Sequence, residues 1–191
     1  SFQTETRIYR RLTHSFNQRL ERKLQETGQQ REAELQTHGD HHVKRVLVTG
    51  ATGFLGRHTL PFMTELGYDV HIVSRHSNLN QPKVTAHCCD ILDPMKSTQL
   101  LDKVRPSHLL HLAWCTEPKT FWNTSDNLRW FSASTHLFSS FVKFGGHRIV
   151  GCGSCAEYEW VDGRVCHERS TPTRPASNYG RAKLSTGNWL D

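Results

Sequence analysis

Two groups of residues have the types and spacing to do chemistry. Tyr179 and Lys183 are four positions apart, so on a helix they lie one above the other on a single face. A phenol ionises near pH 10, and to take and return protons near neutrality it must ionise about three pH units lower, worth about 4 kcal/mol. A neighbouring ammonium favours the phenolate. Ser154, just after an apolar run, adds a hydroxyl that can hydrogen-bond a substrate hydroxyl or carbonyl. These three residues are the candidate catalytic set.

The second group is Gly50, Gly53 and Gly56, in the spacing G-x-x-G-x-x-G. The β-branched run Val46-Leu47-Val48-Thr49 precedes it, and apolar residues at Leu55, Leu60, Phe62, Met63 and Leu66 follow. This is a buried strand, a tight turn and a helix. Gly50 and Gly53 are expected to take backbone angles closed to other residues and to let a pyrophosphate approach the main chain, and Gly56 to bring the helix close to the sheet. The helix N-terminus adds unpaired N–H groups and the positive end of a dipole. A dinucleotide site over Thr49, Gly50, Thr52, Gly53, Phe54, Leu55 and Gly56 is the reading.

Elements must hold these groups together, and the pattern supplies them. Strands are expected over Tyr68–Val73, Val84–Cys88, Ser107–Leu112 and Arg148–Gly151, and helices over Met95–Val104 and Asp126–Phe144. Pro61 should kink the first helix. Alternation of this kind calls for an α/β fold, a doubly wound parallel sheet flanked by helices. The second strand ends at Arg75 where dinucleotide sites often carry a carboxylate. A guanidinium there suits a 2′-phosphate, so NADP is expected, with NAD as the alternative. Asp90 and Ile91 after the third strand could meet the adenine, and Leu112, Ala113 and Trp114 after the fourth the cofactor's backbone.

From about Lys44 onward the chain resembles the extended short-chain dehydrogenase/reductases of the NAD-dependent epimerase/dehydratase family. The resemblance rests on T-G-A-T-G-F-L-G (49–56), C-D-I-L-D (89–93), H-L-A-W (111–114), G-S-C-A-E-Y (153–158) and Y-G-R-A-K (179–183). It implies a Rossmann-like fold and a nucleotide-sugar substrate. Tyr179 would exchange the proton, Lys183 would lower its pKa and hold the nicotinamide ribose, and Ser154 would orient the substrate oxygen. Asn127 resembles the family's structural asparagine. Family members usually continue well past Tyr-x-x-x-Lys, so the resemblance implies a truncated Rossmann domain over 43–191, without the C-terminal substrate domain, and a homodimer for the full-length form.

Residues 1–43 lie outside the resemblance, and 1–42 are expected to form a separate extension and linker. Ile8, Leu12, Phe16, Leu20 and Leu24 recur every four residues, which predicts an amphipathic helical extension, followed by a linker carrying His38, His41 and His42. The formal net charge of +6 favours anionic partners without choosing between nucleic acid and a phosphorylated cofactor. The first forty residues hold seven Arg/Lys against six Asp/Glu, so the extension is barely basic and nucleic acid is not favoured. No apolar run approaches the roughly 18 residues that span a membrane. Six cysteines read as reduced thiols in a cytoplasm. Cys152 and Cys155 form one C-x-x-C pair, half a zinc site that Cys166 and His167 could complete only if the loop folded back, and no metal is expected. The competing functional reading is a non-catalytic dinucleotide-binding or regulatory module whose N-terminal helix docks a partner.

Overall fold

A computed structural model describes residues 43–75, 82–161, 163 and 165–190. The expected N-terminal helix and the linker histidines lie outside the described residues. The described residues form a parallel sheet with strands β1 (Arg45–Thr49), β2 (Asp69–Ser74), β3 (Val84–Cys88), β4 (His108–His111) and β5 (Arg148–Gly151), in the order β3-β2-β1-β4-β5. Helices α1 (Phe54–Glu65), α2 (Pro94–Val104), α3 (Asp126–Lys143) and α4 (Asn178–Leu190) connect or follow them.

Parallel strands covered on both faces read as unbroken apolar runs, which is why β1 was legible: Val46, Leu47 and Val48 are all at most 1% exposed. On one face Val46, Val48, Val70, Ile72 and Leu110 pack with Ala51 and Leu60 of the β1–α1 segment. On the other, Leu47, Val73 and Leu109 meet Leu100, Leu101 and Val104 of α2 and Leu137, Phe138 and Phe141 of α3. Helix α4 packs on α3, with the Trp189 and Phe138 rings 5.4 Å apart. Helix α2 begins where Asp93 caps the amides of Met95 and Lys96 and Pro94 stands in the first turn.

Strand order turns back between β1 and β4, so their carboxyl ends open the crevice where such sheets hold ligands. Gly50 stands there with φ of +71°, and a Cβ on it would come within 2.6 Å of the Ala113 amide nitrogen. The turn therefore abuts β4 as well as opening to solvent. Gly56 stands in close quarters against the preceding turn: an added Cβ would lie 2.4 Å from Ala51 Cα. Gly53 departs from expectation. Its φ of −73° is open to any residue, and its part is to begin α1 without a side chain. Helix α1 runs on through Pro61, and both Pro61 and Arg57, whose carbonyl Pro61 leaves without its helical donor, are exposed.

Candidate active site

Ser154, Tyr179 and Lys183 converge beyond the carboxyl end of β5. Cys152 continues the ladder by donating its amide to the His111 carbonyl at 3.2 Å, and a short 3₁₀ turn, Cys155–Glu157, follows. Ser154 caps this turn: its hydroxyl accepts from the Ala156 amide at 3.2 Å, while the Glu157 carboxylate accepts from the Ser154 amide at 2.6 Å. The sequence reading did not foresee this turn, although S-x-x-E marks such a box.

Gly180 then decides how near α4 can come. A Cβ on Gly180 would stand 2.2 Å from the Ala156 carbonyl oxygen. The bare backbone lets the first turn of α4 lie on the 3₁₀ turn, which brings the Tyr179 phenol toward Ser154. The segment before α3 fixes α4 from the other side. The Tyr179 amide donates to the Trp122 carbonyl at 2.9 Å, and Asn178 Nδ2 donates to the Asn123 carbonyl at 3.0 Å. The Phe121 and Trp122 rings stand edge-on to the Tyr179 ring at 5.0 and 5.8 Å.

Burial among these rings pushes the Tyr179 phenol above the ordinary tyrosine value, and the nearby Ser154 hydroxyl works against that shift. Lys183 is not among the groups that shift the phenol here. The Lys183 ammonium, itself pushed below the ordinary lysine value by burial, faces the Trp114 ring, with Nζ 4.4 Å from its centroid.

Asn127 is 1% exposed and saturated. It donates to the carbonyls of Phe121 at 2.7 Å and Thr124 at 3.0 Å, and its Oδ1 accepts from Trp114 Nε1 at 3.0 Å. A buried polar chain lies beneath, which the sequence reading missed. The His111 ring bridges Thr49 Oγ1 at 2.8 Å and Ser134 Oγ at 2.9 Å. Ser134 also reaches the Trp130 carbonyl at 2.7 Å, so its proton goes there and it accepts from Nε2–H of His111. Nδ1 then accepts from Thr49, whose oxygen accepts from the Ala113 amide at 3.3 Å.

Of the expected dinucleotide contacts, Thr52, Gly53 and Phe54 are exposed at the start of α1, and Leu55 is half-buried behind them. Thr49 is buried with its hydroxyl turned to His111. Arg75 is exposed at the end of β2. Asp90 is half-buried and accepts from the Leu92 amide at 3.1 Å, and Ile91 is buried. Leu112, Ala113 and Trp114 follow β4, half-buried. All six cysteines are free thiols, and among the described residues no group of three or more His, Cys, Asp or Glu could hold a metal. No helix among them is long and apolar enough to cross a membrane.

A family model described as "NAD dependent epimerase/dehydratase family" matches residues 46–190. The chain belongs to that family. Within it, the chain is 26% identical over 171 residues to UDP-glucose 4-epimerase uge1 of Schizosaccharomyces pombe, covering 78% of this chain and 47% of that protein. It is 28% identical over 152 residues to a UDP-glucose 4-epimerase of Azospirillum brasilense, covering 76% and 43%. Among solved structures, the Bordetella bronchiseptica enzyme WbmG in complex with NAD matches at a TM-score of 0.66 and 19% identity, over 80% of this chain and 50% of that one. The UDP-glucose 4-epimerase of Thermotoga maritima with UDP-glucose matches at 0.65 and 23%, over 76% and 50%. At such identities the structural likeness shows the fold alone. The chain spans about half the length of these epimerase/dehydratase relatives.

Proposed function

We propose that the chain is the cofactor-binding and catalytic part of an NAD(P)-dependent epimerase, dehydratase or reductase that acts on a nucleotide sugar by hydride transfer. The observation that carries this reading is the close packing of the first turn of α4, with Tyr179 and, one helical turn on, Lys183, against the 3₁₀ turn that Ser154 caps, at the carboxyl edge of the sheet. The β1–α1 turn fits a dinucleotide. Gly53 begins α1 with no side-chain cap, and the first turn carries no acidic residue, so its amides and dipole end remain open to phosphate oxygens.

In this reading the amides around Gly50–Gly56 hold the pyrophosphate, and Arg75 takes a 2′-phosphate, which favours NADP over NAD. Asp90 and Ile91 flank the adenine, Leu112–Trp114 the cofactor's backbone, and Tyr179 and Lys183 the nicotinamide ribose. When bound, the oxidised dinucleotide supplies a hydride acceptor and a positive charge beside the phenol. Tyr179 Oη takes the proton of the substrate hydroxyl, Ser154 Oγ holds the substrate oxygen, and Lys183 stabilises the phenolate. The aromatic wall of Trp114, Phe121 and Trp122 keeps water from the phenol.

A cytoplasmic location, in keeping with six free thiols, and a homodimeric complete protein belong to the same proposal. A second reading, a non-catalytic dinucleotide-binding module, draws on Lys183 facing Trp114 in place of the phenol. Incubation of the purified protein with UDP-hexoses and either cofactor, with the sugar products separated afterwards, distinguishes the two. Conversion of a UDP-hexose supports the enzyme; cofactor binding with no conversion across the panel supports the module.

A further inference from the structure

Lys183 is only 6% exposed, and among the described residues no carboxylate pairs with its ammonium. Around it, the Glu157 carboxylate accepts from the Ser154 amide and favours the ammonium only from beyond ion-pair distance, and His111 stays neutral in its buried chain. A lone buried ammonium tends to lose its proton or to swing toward water. What meets it here is the face of the Trp114 indole. A cation over a ring face is attracted by the ring's quadrupole, more strongly where water is excluded. The ring cannot turn freely, because its Nε1–H donates to Asn127 Oδ1, and Asn127 is fixed by its own two donations to backbone.

We propose that Trp114 is a positioning residue for Lys183: its indole face keeps the buried ammonium charged and in place one turn below Tyr179, and Asn127 sets the angle of the ring. The proposal rests on the catalytic reading for the role it gives Lys183. It also gives Trp114 a task apart from the cofactor contact expected at that position. The residue acts on the chemistry through the lysine.

The test uses the protein labelled with ¹³C and ¹⁵N in its lysines, with the Lys183 resonance assigned by loss in Lys183→Arg. A methylene and ammonium stacked on an indole are moved upfield by the ring current, so wild-type Lys183 stands apart from the exposed lysines. Trp114→Leu keeps an apolar neighbour and removes the quadrupole. It is expected to abolish the upfield shift, to weaken proton affinity at Lys183 about tenfold, and to lower kcat/KM by a similar factor. Trp114→Phe keeps a ring face and is expected to retain most of all three. Because wild type and the Phe variant carry the comparison, a Leu variant that fails to fold does not remove it.

A wild-type Lys183 resonance at the ordinary lysine position overturns the proposal. So does a folded Leu variant with unchanged lysine titration and turnover, when Lys183→Met abolishes turnover. If Lys183→Met leaves turnover intact, the catalytic reading is what fails, and the lysine resonance alone then decides whether the ring holds the ammonium.

Discussion

The Thr49 hydroxyl stands 2.8 Å from Nδ1 of His111, joining the carboxyl ends of the two strands between which the sheet's order turns back. The bond fixes the imidazole as a neutral ring that accepts from Thr49 and donates to Ser134. Burial, with the Lys183 charge nearby, lowers its pKa to about 3.

That burial predicts a pH dependence. In the unfolded chain a histidine takes up a proton near pH 6.5, whereas folded His111 does so only near pH 3. Its contribution to stability is therefore fully present above pH 6.5 and is lost as pH falls from there toward 3, with a slope reaching about 1.4 kcal/mol per pH unit. Urea unfolding at a series of pH values should show His111→Gln less stable than wild type at neutral pH and shallower in this window by about one proton. Parallel curves would mean that His111 is already protonated in the fold.

Gly180 and Gly187 lie on the same helix and should answer oppositely to alanine. At Gly180 the new methyl meets the Ala156 carbonyl at 2.2 Å, whereas at Gly187 nothing lies within 4 Å. Gly187→Ala should stabilise by up to about 1 kcal/mol through helix propensity. Gly180→Ala should push α4 off the 3₁₀ turn, destabilise by about 1–3 kcal/mol and part Tyr179 from Ser154. Urea midpoints for the two variants check this, and equal midpoints would contradict the close approach.

The same contrast marks what a sequence can display. The β3 and β5 boundaries agree with expectation, because runs such as Arg148-Ile149-Val150-Gly151 carry their own signal between breakers. The β2 and β4 limits each moved by one residue, since the end residues of β4 still bond across the sheet, with the Leu112 amide donating to the Thr49 carbonyl at 3.1 Å. Tyr179 and Lys183 were legible as an i, i+4 pair, and Ser154 as a strand-end hydroxyl. The Trp114–Lys183 contact was not, since 69 positions separate the two and no periodicity links them. Nor was the direction of the Tyr179 shift. It depends on rings from the segment before α3, whose place against α4 is set by backbone hydrogen bonds that no side-chain pattern records.

Arg75 bears on cofactor choice. It is exposed at the end of β2, where a 2′-phosphate would lie in the proposed site. Arg75→Ala is expected to weaken NADPH binding by about 1–2 kcal/mol, roughly 5- to 30-fold, and to leave NADH within about twofold, with the difference shrinking at high salt. Calorimetric titration with both cofactors reads this out. Equal effects on the two would remove Arg75 from phosphate recognition.

The central claim is that Tyr179 exchanges the proton, and the most direct measurement is turnover of a UDP-hexose by Tyr179→Phe beside wild type, with cofactor affinity measured on the same preparations. The ring and its aromatic neighbours remain in the variant, and only the hydroxyl is lost. The expected result is a fall in kcat of about 10²- to 10⁴-fold with cofactor affinity within a few fold. Unchanged turnover in the variant would contradict the account.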